Sequence, residues 1–363
     1  MKKVVTFGEV MLRFAPREHY RFEQVAPGEM DLTFGGAESN VAASIAMFGG
    51  AARFVTALPK HAIADAFMRQ MRGFEVDMDS VVRREEGRFG AYFVETGANQ
   101  RPSRVIYDRE HSAVSLCPGN AYDWDSVLAD AQWLHISGIT LAISETAAQT
   151  AIFAAEKAQA AGVTVSCDLN FRKNLWRWRP GTDAQTLARE VMPQFLERVN
   201  VVIGNEEDAA DVLDIHAGDS DVHAGSLQIE RYPDVARQIV QRFDKVQSVA
   251  ITLRESISAS HNNWGAMLYD AASDAASFAP LNGEDYQPYE IRNIVDRVGG
   301  GDSFAAGLIF AITCGDLKSP QEQVSFAVAA SCLAHSVKGD SNYNNRAEVE
   351  TLMRGDASGR VQR

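Results

Sequence analysis

Short runs of apolar and β-branched residues recur along this chain, and a glycine or a polar residue follows each of them at once. The clearest runs are residues 4–8, 133–138, 163–168, 201–205 and 249–252. Continuous apolar runs of this length are typical of strands in a parallel sheet that is covered on both faces. The pattern therefore predicts a buried parallel sheet.

Helical patterns separate these runs, for example at residues 144–161 and 183–198, and Gly162 is placed to end the first of these helices. Strands that alternate with helices predict a doubly wound α/β fold, in which ligands bind at the carboxyl ends of the strands. The polar residues expected at that edge are Asp168, Asn170, Asn205, Glu206 and Arg254.

Two other stretches, residues 10–34 and 88–107, alternate apolar and polar positions as a half-buried antiparallel sheet does. We predict that they form a small β-lid inserted near the first helix. Residues 214–234 are acidic and aperiodic, which favours a surface excursion. The glycine-, arginine- and serine-rich tail after Leu352 is predicted to fray.

Composition excludes some classes of partner. The 363-residue chain is 46% hydrophobic, which is enough for one large core or two smaller ones. Its formal net charge is -13, and no basic stripe is present that could follow a nucleic-acid backbone. The first apolar run is too short for a membrane span, and four cysteines without paired or metal-type spacing favour a reduced, cytoplasmic protein. We expect neither nucleic acid nor a membrane as a partner.

Three glycines, residues 299–301, stand directly before Asp302 and an apolar helical segment. The free N–H groups and the dipole of a helix that begins this way can hold an anion such as a phosphate. A carboxylate beside an anion site repels the anion unless it has a task of its own, and removing a proton from an attacking hydroxyl is such a task. The alternative is a glycine turn in which Asp302 is an ordinary helix cap.

The segment 296–304 resembles the signature D-T-x-G-A-G-D-x-F of the PfkB, or ribokinase-like, carbohydrate kinases. Arg297 replaces the usual threonine and Gly300 replaces alanine, which leaves the glycine amides and the carboxylate in place. The resemblance implies a kinase that uses ATP and has Asp302 as its catalytic base. The amides implied to stabilise the transferring phosphoryl group are those of Gly299, Gly300 and Gly301.

The same resemblance extends over nearly the whole chain and has consequences for the fold. It implies a ribokinase-like α/β fold, with a doubly wound, mainly parallel sheet flanked by helices and a small β-sheet lid. Residues 1–363 would form a single kinase domain, with the lid at about 10–34 and 88–112. A lid with an exposed apolar face would also be a natural surface for a homo-oligomer.

A second family signature is a glycine pair that opens a helix, which Gly35, Gly36 and Asn40 match. Glycines let the backbone approach a sugar closely, and Asn40 offers both a donor and an acceptor to hydroxyls. The alternative is a helix-opening turn that binds no ligand.

The third signature, N-x-x-E, organises Mg²⁺ and its waters around the nucleotide phosphates in this family. Here it reads Asn205-Glu206-Glu207-Asp208, so Glu207 or Asp208 would serve the metal through water, with Asn205 near the nucleotide. An acidic first turn that the helix dipole stabilises would explain the same residues. Adenine is expected near Thr252 and Arg254 and the region 330–339.

Two arginines indicate the class of sugar. Arg109 closes a lid-type strand and Arg172 follows a sheet strand at its carboxyl edge. Guanidinium groups grip a carboxylate through paired hydrogen bonds, so a sugar acid is preferred to a neutral sugar. If instead both arginines form ordinary surface ion pairs, this preference loses its basis.

The arrangement also resembles the subgroup of this family that phosphorylates 2-keto-3-deoxygluconate. In that subgroup, lid tyrosines and an arginine after a D-x-N-x-R strand hold the acid end, and Tyr92, Tyr107, Arg109 and Arg172 match those positions. The resemblance implies transfer of the ATP γ-phosphoryl group to the 6-hydroxyl of 2-dehydro-3-deoxy-D-gluconate.

Three competing functions follow from the same residues. A fructokinase- or ribokinase-like enzyme would act on a neutral sugar, and a silent relative would bind a sugar without turnover, although the intact Asp302 argues against silence. A nicotinamide dehydrogenase is disfavoured, because the first strand is followed by Glu9 and Val10 rather than by G-x-G-x-x-G.

Overall fold

The computed structural model describes residues 2–205, 207–216 and 229–355. Glu206, residues 217–228 of the predicted surface excursion and most of the tail predicted to fray lie outside this part of the chain. The strands are β1 (Lys3–Phe7), β2 (Met11–Ala15), β3 (Asp31–Gly35), β4 (Ala52–Val55), β5 (Ala57–Pro59), β6 (Val82–Arg84), β7 (Gly90–Glu95), β8 (Arg104–Asp108), β9 (Ala131–Ser137), β10 (Thr164–Asp168), β11 (Val201–Asn205), β12 (Ser248–Ser258), β13 (His261–Asp270), β14 (Ala275–Ala279), β15 (Leu281–Asn282), β16 (Asp285–Tyr286) and β17 (Tyr289–Ile291). The α-helices are α1 (Phe22–Val25), α2 (Ala37–Met47), α3 (Ala62–Gly73), α4 (Trp124–Leu128), α5 (Gly138–Ala142), α6 (Glu145–Ala160), α7 (Ala184–Leu196), α8 (Asp208–Leu213), α9 (Tyr232–Arg242), α10 (Gly300–Thr313), α11 (Pro320–Ala334) and α12 (Arg346–Met353).

The main sheet has the order β14-β13-β12-β11-β10-β9-β1-β4, and β17 pairs with β13 at the antiparallel end. All pairs from β4 to β12 are parallel, as the apolar runs predict. The predicted strand boundaries agree to within one or two residues, except that β12 continues to Ser258 because it pairs antiparallel with β13 along its length. The mainly parallel α/β fold is thus confirmed.

Two hydrophobic cores cover the two faces of this sheet. Within β1, the side chains of Val5 and Phe7 belong to one core and that of Val4 to the other, because successive side chains of a strand point to opposite faces. Helices α6 and α7 bury alanine and leucine side chains in the first core. Helices α10 and α11 cover the second face, and their buried side chains include Phe304 and Phe326.

The lid is a four-stranded sheet in the order β3-β2-β7-β8. The outer pairs are antiparallel, but the central strands β2 and β7 are parallel, so the antiparallel prediction for the lid is wrong at its centre. The chain between β2 and β7 passes through β3, α2, β4 and α3, and a crossover of that length lets two strands run in the same direction.

The base of the lid shares the core of the main sheet. Leu12 and Phe89 are buried in the second core, and the ring of Phe34 lies 5.4 Å from that of Phe67 on α3. This packing holds the lid above the carboxyl ends of the parallel strands. Among the described helices, none is long and apolar enough to cross a membrane.

Candidate active site

A cavity of about 560 Å³ lies between the lid and the carboxyl edge of the parallel sheet. Strand ends supply part of its wall, as the fold predicts. Every predicted site residue lines this cavity except Glu207, which is exposed outside it. The structure therefore brings together predicted residues that are up to about 270 positions apart in the sequence, from Gly35 to Asp302.

Helix α10 presents its N-terminus to the cavity. Gly299 has φ 85°, a conformation that favours glycine, and a Cβ at this position would lie 2.5 Å from the carbonyl oxygen of Asp340. The Ser303 N–H donates to Gly299 O at 2.8 Å, so the preceding N–H groups have no partner within the helix. Apart from its chain neighbours and the backbone of its own helix, no described atom lies within 4 Å of a Cβ built on Gly301, which leaves space for an anion beside this glycine.

Asn40 holds Asp302 beside the free N–H groups of residues 299–301, which are called the α10 cradle below. The Asn40 Nδ2 donates to Asp302 Oδ2 at 2.7 Å, and the Asn40 Oδ1 accepts from the Gly36 N–H at 3.4 Å. Burial raises the pKa of the Asp302 carboxyl to about 7, although the hydrogen bond from Asn40 opposes that shift. A carboxyl with a pKa near neutrality can accept a proton from a substrate hydroxyl and release it again.

The glycine pair at the start of α2 is required by packing. A Cβ on Gly35 would overlap the carboxylate of Asp340 at 2.1 Å, and one on Gly36 would overlap the Glu9 carbonyl oxygen at 2.1 Å. The structure thus shows that Asn40 orients the Asp302 carboxyl and that the two glycines make room for Asp340 and Glu9. Their predicted contacts with a sugar stay predictions.

The two predicted acid-binding arginines lie in different surroundings. Arg109 is buried, its Nε donates to Glu9 Oε2 at 2.7 Å, and its guanidinium lies 5.6 Å from the ring centre of Tyr107. Arg172 is exposed at the cavity wall, and its guanidinium has no hydrogen bond or ion pair with any described residue. Arg109 is therefore already neutralised by a buried carboxylate, whereas Arg172 is available to a ligand.

Sequence reasoning missed two partners in this region. Glu9 is buried, and its second oxygen, Oε1, has no hydrogen-bond partner among the described residues. The lid tyrosine Tyr92 donates its hydroxyl to the Asp340 carboxylate at 2.6 Å. The only local signal for Glu9 was its place directly after the first strand, and Asp340 stands at the end of a conspicuous Lys-Gly-Asp turn.

The predicted metal-organising residues have local roles. Asp208 is buried, and its two oxygens accept from the N–H groups of Asn205 at 2.8 Å and Phe171 at 2.9 Å. The Asn205 Oδ1 accepts from the N–H groups of Glu207 and Asp208 at the start of α8. Within residues 2–205, 207–216 and 229–355, no cluster of three or more histidine, cysteine or acidic side chains could hold a metal ion.

These contacts are compatible with Mg²⁺ that is bound through water and the substrate phosphates. Mg²⁺ commonly keeps several waters and is held by one or two carboxylates together with substrate phosphates. Asp208, which lines the cavity, fits such a water-mediated position better than the exposed Glu207.

The far end of the cavity is lined by side chains that sequence reasoning placed near adenine. Thr252 and Arg254 lie at the point where β12 leaves the parallel part of the sheet, and Arg254 is directly opposite Trp264 on β13. The rings of Trp264 and His335 lie 5.1 Å apart beside Gly300. The cavity thus extends from the cradle toward a partly aromatic wall.

Comparison with known proteins agrees with this geometry. Residues 1–255 match the pattern of the pfkB family carbohydrate kinases. The chain belongs to this family. It is therefore a carbohydrate kinase. The matched residues end before α10, so the catalytic role of Asp302 stays a prediction.

Individual relatives within the PfkB family are similar over nearly their whole length. The crystal structure of 2-dehydro-3-deoxygluconokinase from Thermotoga maritima is 42% identical, with a TM-score of 0.87 and 98% of each chain covered. A PfkB family carbohydrate kinase from Listeria grayi is 28% identical, with a TM-score of 0.84 over 97% of this chain and 100% of its own. The 2-dehydro-3-deoxygalactonokinase of Haloferax volcanii is 28% identical over 98% of both chains.

Proposed function

We propose that this kinase transfers the γ-phosphoryl group of ATP to the 6-hydroxyl of 2-dehydro-3-deoxy-D-gluconate. One observation carries the proposal: the Asp302 carboxyl, the open N-terminus of α10 and the guanidinium of Arg172 line the same cavity. That guanidinium has no hydrogen bond or ion pair in the described part of the chain. The 42% identical Thermotoga maritima enzyme bears the name of that activity.

Each of these residues has a separate role in phosphoryl transfer. Asp302 accepts the proton of the sugar hydroxyl as the hydroxyl oxygen attacks the γ-phosphorus, while Asn40 fixes the orientation of the carboxylate. The free amides at the start of α10 donate to the oxygens of the transferring group, where negative charge accumulates. Mg²⁺, when bound with ATP, supplies charge neutralisation at the phosphates, and Asp208 would hold it through water.

The acid end of the substrate would lie at the arginines. Arg172 supplies the unpaired positive charge, and Arg109, fixed by Glu9, supplies a rigid neighbour. Glu9 lines the cavity, and its buried Oε1 has no hydrogen-bond partner among the described residues, so a rearrangement of this side chain on binding would let it accept from a substrate hydroxyl. The lid above them would exclude water, which limits hydrolysis of ATP.

A second candidate substrate is 2-dehydro-3-deoxy-D-galactonate. The Haloferax volcanii relative, which covers 98% of this chain, is named for its phosphorylation. The two acids share the carboxylate, the keto group and the terminal hydroxyl, so the arginines and Asp302 would serve either one. Their discrimination would rest on contacts with the single hydroxyl at which the two acids differ.

A panel assay tests the proposal. ADP release is measured with ATP and each of the two keto acids, fructose and ribose, at matched concentrations. We expect kcat/KM for at least one keto acid to exceed that for either neutral sugar by ~10-fold or more, because the charged contact is lost with a neutral sugar. A preference for fructose or ribose would favour the neutral-sugar alternative, and absence of turnover with all of them would favour a silent binding relative.

The proposed kinase would act as a cytoplasmic homo-oligomer that is joined through its lid. Leu32 on β3 and Ile106 on β8 are 56% and 51% exposed, which supports an apolar contact surface on the lid. Light scattering of the purified protein measures this directly. A strictly monomeric mass would exclude the oligomer and leave the proposed chemistry untouched.

A further inference from the structure

A buried cluster of charges joins the lid to the segments around the α10 cradle. Arg13 on β2 is 2% exposed, and its two terminal nitrogens contact two different carboxylates. The Nη1 donates to Asp340 Oδ1 at 2.6 Å, and the Nη2 donates to Asp296 Oδ2. Arg13 does not line the cavity, so it reaches the site only through these partners.

Asp296 connects the two turns that flank the cradle. Its Oδ1 accepts from the Val298 N–H at 3.2 Å, within the turn that leads into Gly299. Its Oδ2 accepts from the Gly339 N–H at 3.2 Å, in the turn that follows α11. The guanidinium of Arg13 therefore holds a carboxylate that binds the backbone directly before the glycines and the backbone of the turn at Gly339.

Asp340 extends the cluster to the sugar side of the cavity. The hydroxyl of Tyr92, on the lid strand β7, donates to this carboxylate. The Asp340 carboxylate packs against Gly35, and its backbone carbonyl packs so closely against Gly299 that neither glycine could carry a Cβ. One arginine thus connects two lid strands with the start of α2 and the start of α10.

The two buried carboxylates of the cluster depend on Arg13 for charge compensation. Asp296 and Asp340 are both at least nine-tenths buried, and Arg13 is the cation that contacts both of them in the described structure. Without the guanidinium, two carboxylates would be left buried close to one another, which is strongly unfavourable. They would separate, bind another cation or take up a proton, and each response would move the turns that carry the cradle.

We propose that Arg13 is a positioning residue. By binding Asp296 and Asp340, its guanidinium holds the lid on the turns that contain Val298 and Gly339, and so aligns the free amides of α10 for phosphoryl transfer. The inference rests on the proposed kinase function for its kinetic test. Closure of the lid and alignment of the cradle become one event, because the same guanidinium contacts both. A displacement of the amides by about 1 Å is enough to lower turnover on the order of 100-fold.

The kinetic test compares Arg13→Ala with wild type and with Arg17→Ala. Arg17 is an exposed lid arginine that pairs with the exposed Glu29 and the half-buried Asp31, so it controls for loss of one lid charge. We expect Arg13→Ala to lower kcat on the order of 100-fold, while KM for ATP changes by less than ~3-fold. Guanidinium chloride at low millimolar concentration should restore kcat at least ~5-fold in Arg13→Ala, and sodium chloride at the same ionic strength should not. Normal kcat in Arg13→Ala, or equal restoration by the two salts, would overturn the proposal.

An experiment without turnover keeps the proposal separate from the proposed function. Hydrogen–deuterium exchange is followed in peptides that cover residues 295–303 and 336–342, in wild type, Arg17→Ala and Arg13→Lys. Lysine keeps the charge and supports folding, but a single ammonium cannot span both carboxylates as the guanidinium fork does. We expect faster exchange in both peptides of Arg13→Lys and unchanged exchange of residues 295–303 in Arg17→Ala. Only this first peptide serves as the control, because Asp31, a partner of Arg17, also contacts Lys338. Wild-type exchange in Arg13→Lys would show that the fork does not position the cradle, whatever sugar the enzyme phosphorylates.

Discussion

Replacement of Arg172 by methionine tests the acid-binding end of the cavity. Arg172 is exposed at the cavity wall, and its guanidinium has no hydrogen bond or ion pair with a described residue, although its positive charge opposes the rise in the pKa of the buried Asp302. Methionine keeps much of the length of the side chain and removes only the guanidinium. The variant should fold, and comparison of acid with neutral substrates separates loss of the carboxylate contact from a change in the pKa of Asp302, because the second affects both kinds of substrate.

The size of the effect follows from the bond that is lost. A hydrogen bond to a charged group contributes about 1.5 to 3 kcal/mol, which corresponds to roughly 10- to 150-fold in affinity. We expect Arg172→Met to raise KM for the keto acid within that range and to leave KM for ATP nearly unchanged. The preference for the acid over fructose or ribose should narrow by the same factor, because the removed bond serves only the acid.

The assay is steady-state ADP release at saturating ATP with a varied concentration of keto acid. Arg177→Met is a matched control, since Arg177 is exposed nearby, contacts Asn174 and does not line the cavity. Equal losses with acid and neutral substrates, or a change of KM no greater than that in the control, would refute the assignment of Arg172 to the carboxylate.

Four further predictions follow from the site. Asp302→Asn should lower turnover by at least ~100-fold with ATP binding retained, and isothermal titration of ATP checks the second part. In wild type, kcat/KM should rise with pH to a plateau with a midpoint near 7, the pKa of Asp302, whereas a flat profile between pH 6 and 8 would exclude this base. The pKa of Asp302 in the folded protein lies above the ordinary 3.8, so ionisation of this carboxyl lowers the stability of the fold as the pH rises from about 4 to about 7. Asp302→Asn should therefore melt at a higher temperature than wild type above pH 7 but not below pH 4. Asp208→Asn should shift the Mg²⁺ concentration required for half-maximal activity, and Glu207→Gln should not; if neither substitution shifts it, both residues lose the metal assignment.

The parts of the fold that follow local patterns were predictable. Buried parallel strands give continuous apolar runs, and the three glycines before Asp302 mark a helix start whose amides are free, so both could be recognised from neighbouring residues. The N-x-x-D turn is local as well, because the Asn205 side chain binds N–H groups two and three residues later.

The contacts that define the electrostatics of the site were not predictable. The partners Arg13 and Asp340 are 327 positions apart, and Glu9 and Arg109 are 100 positions apart. No periodicity encodes such a pair, because its members meet only after the lid docks on the main sheet. The same reason explains the parallel pairing of β2 and β7, which depends on the path of the chain between them and not on their alternation.

The most direct test of the central claim is the identity of the phosphorylated product. Wild-type protein is incubated with ATP, Mg²⁺ and 2-dehydro-3-deoxy-D-gluconate, and the product is analysed by phosphorus and proton NMR, with Asp302→Asn in parallel. We predict a single phosphate ester on the terminal 6-hydroxyl with stoichiometric ADP, formed at least ~100-fold more slowly by the variant. A phosphate on another hydroxyl, ADP release without a sugar ester, or equal rates for the two proteins would contradict the account.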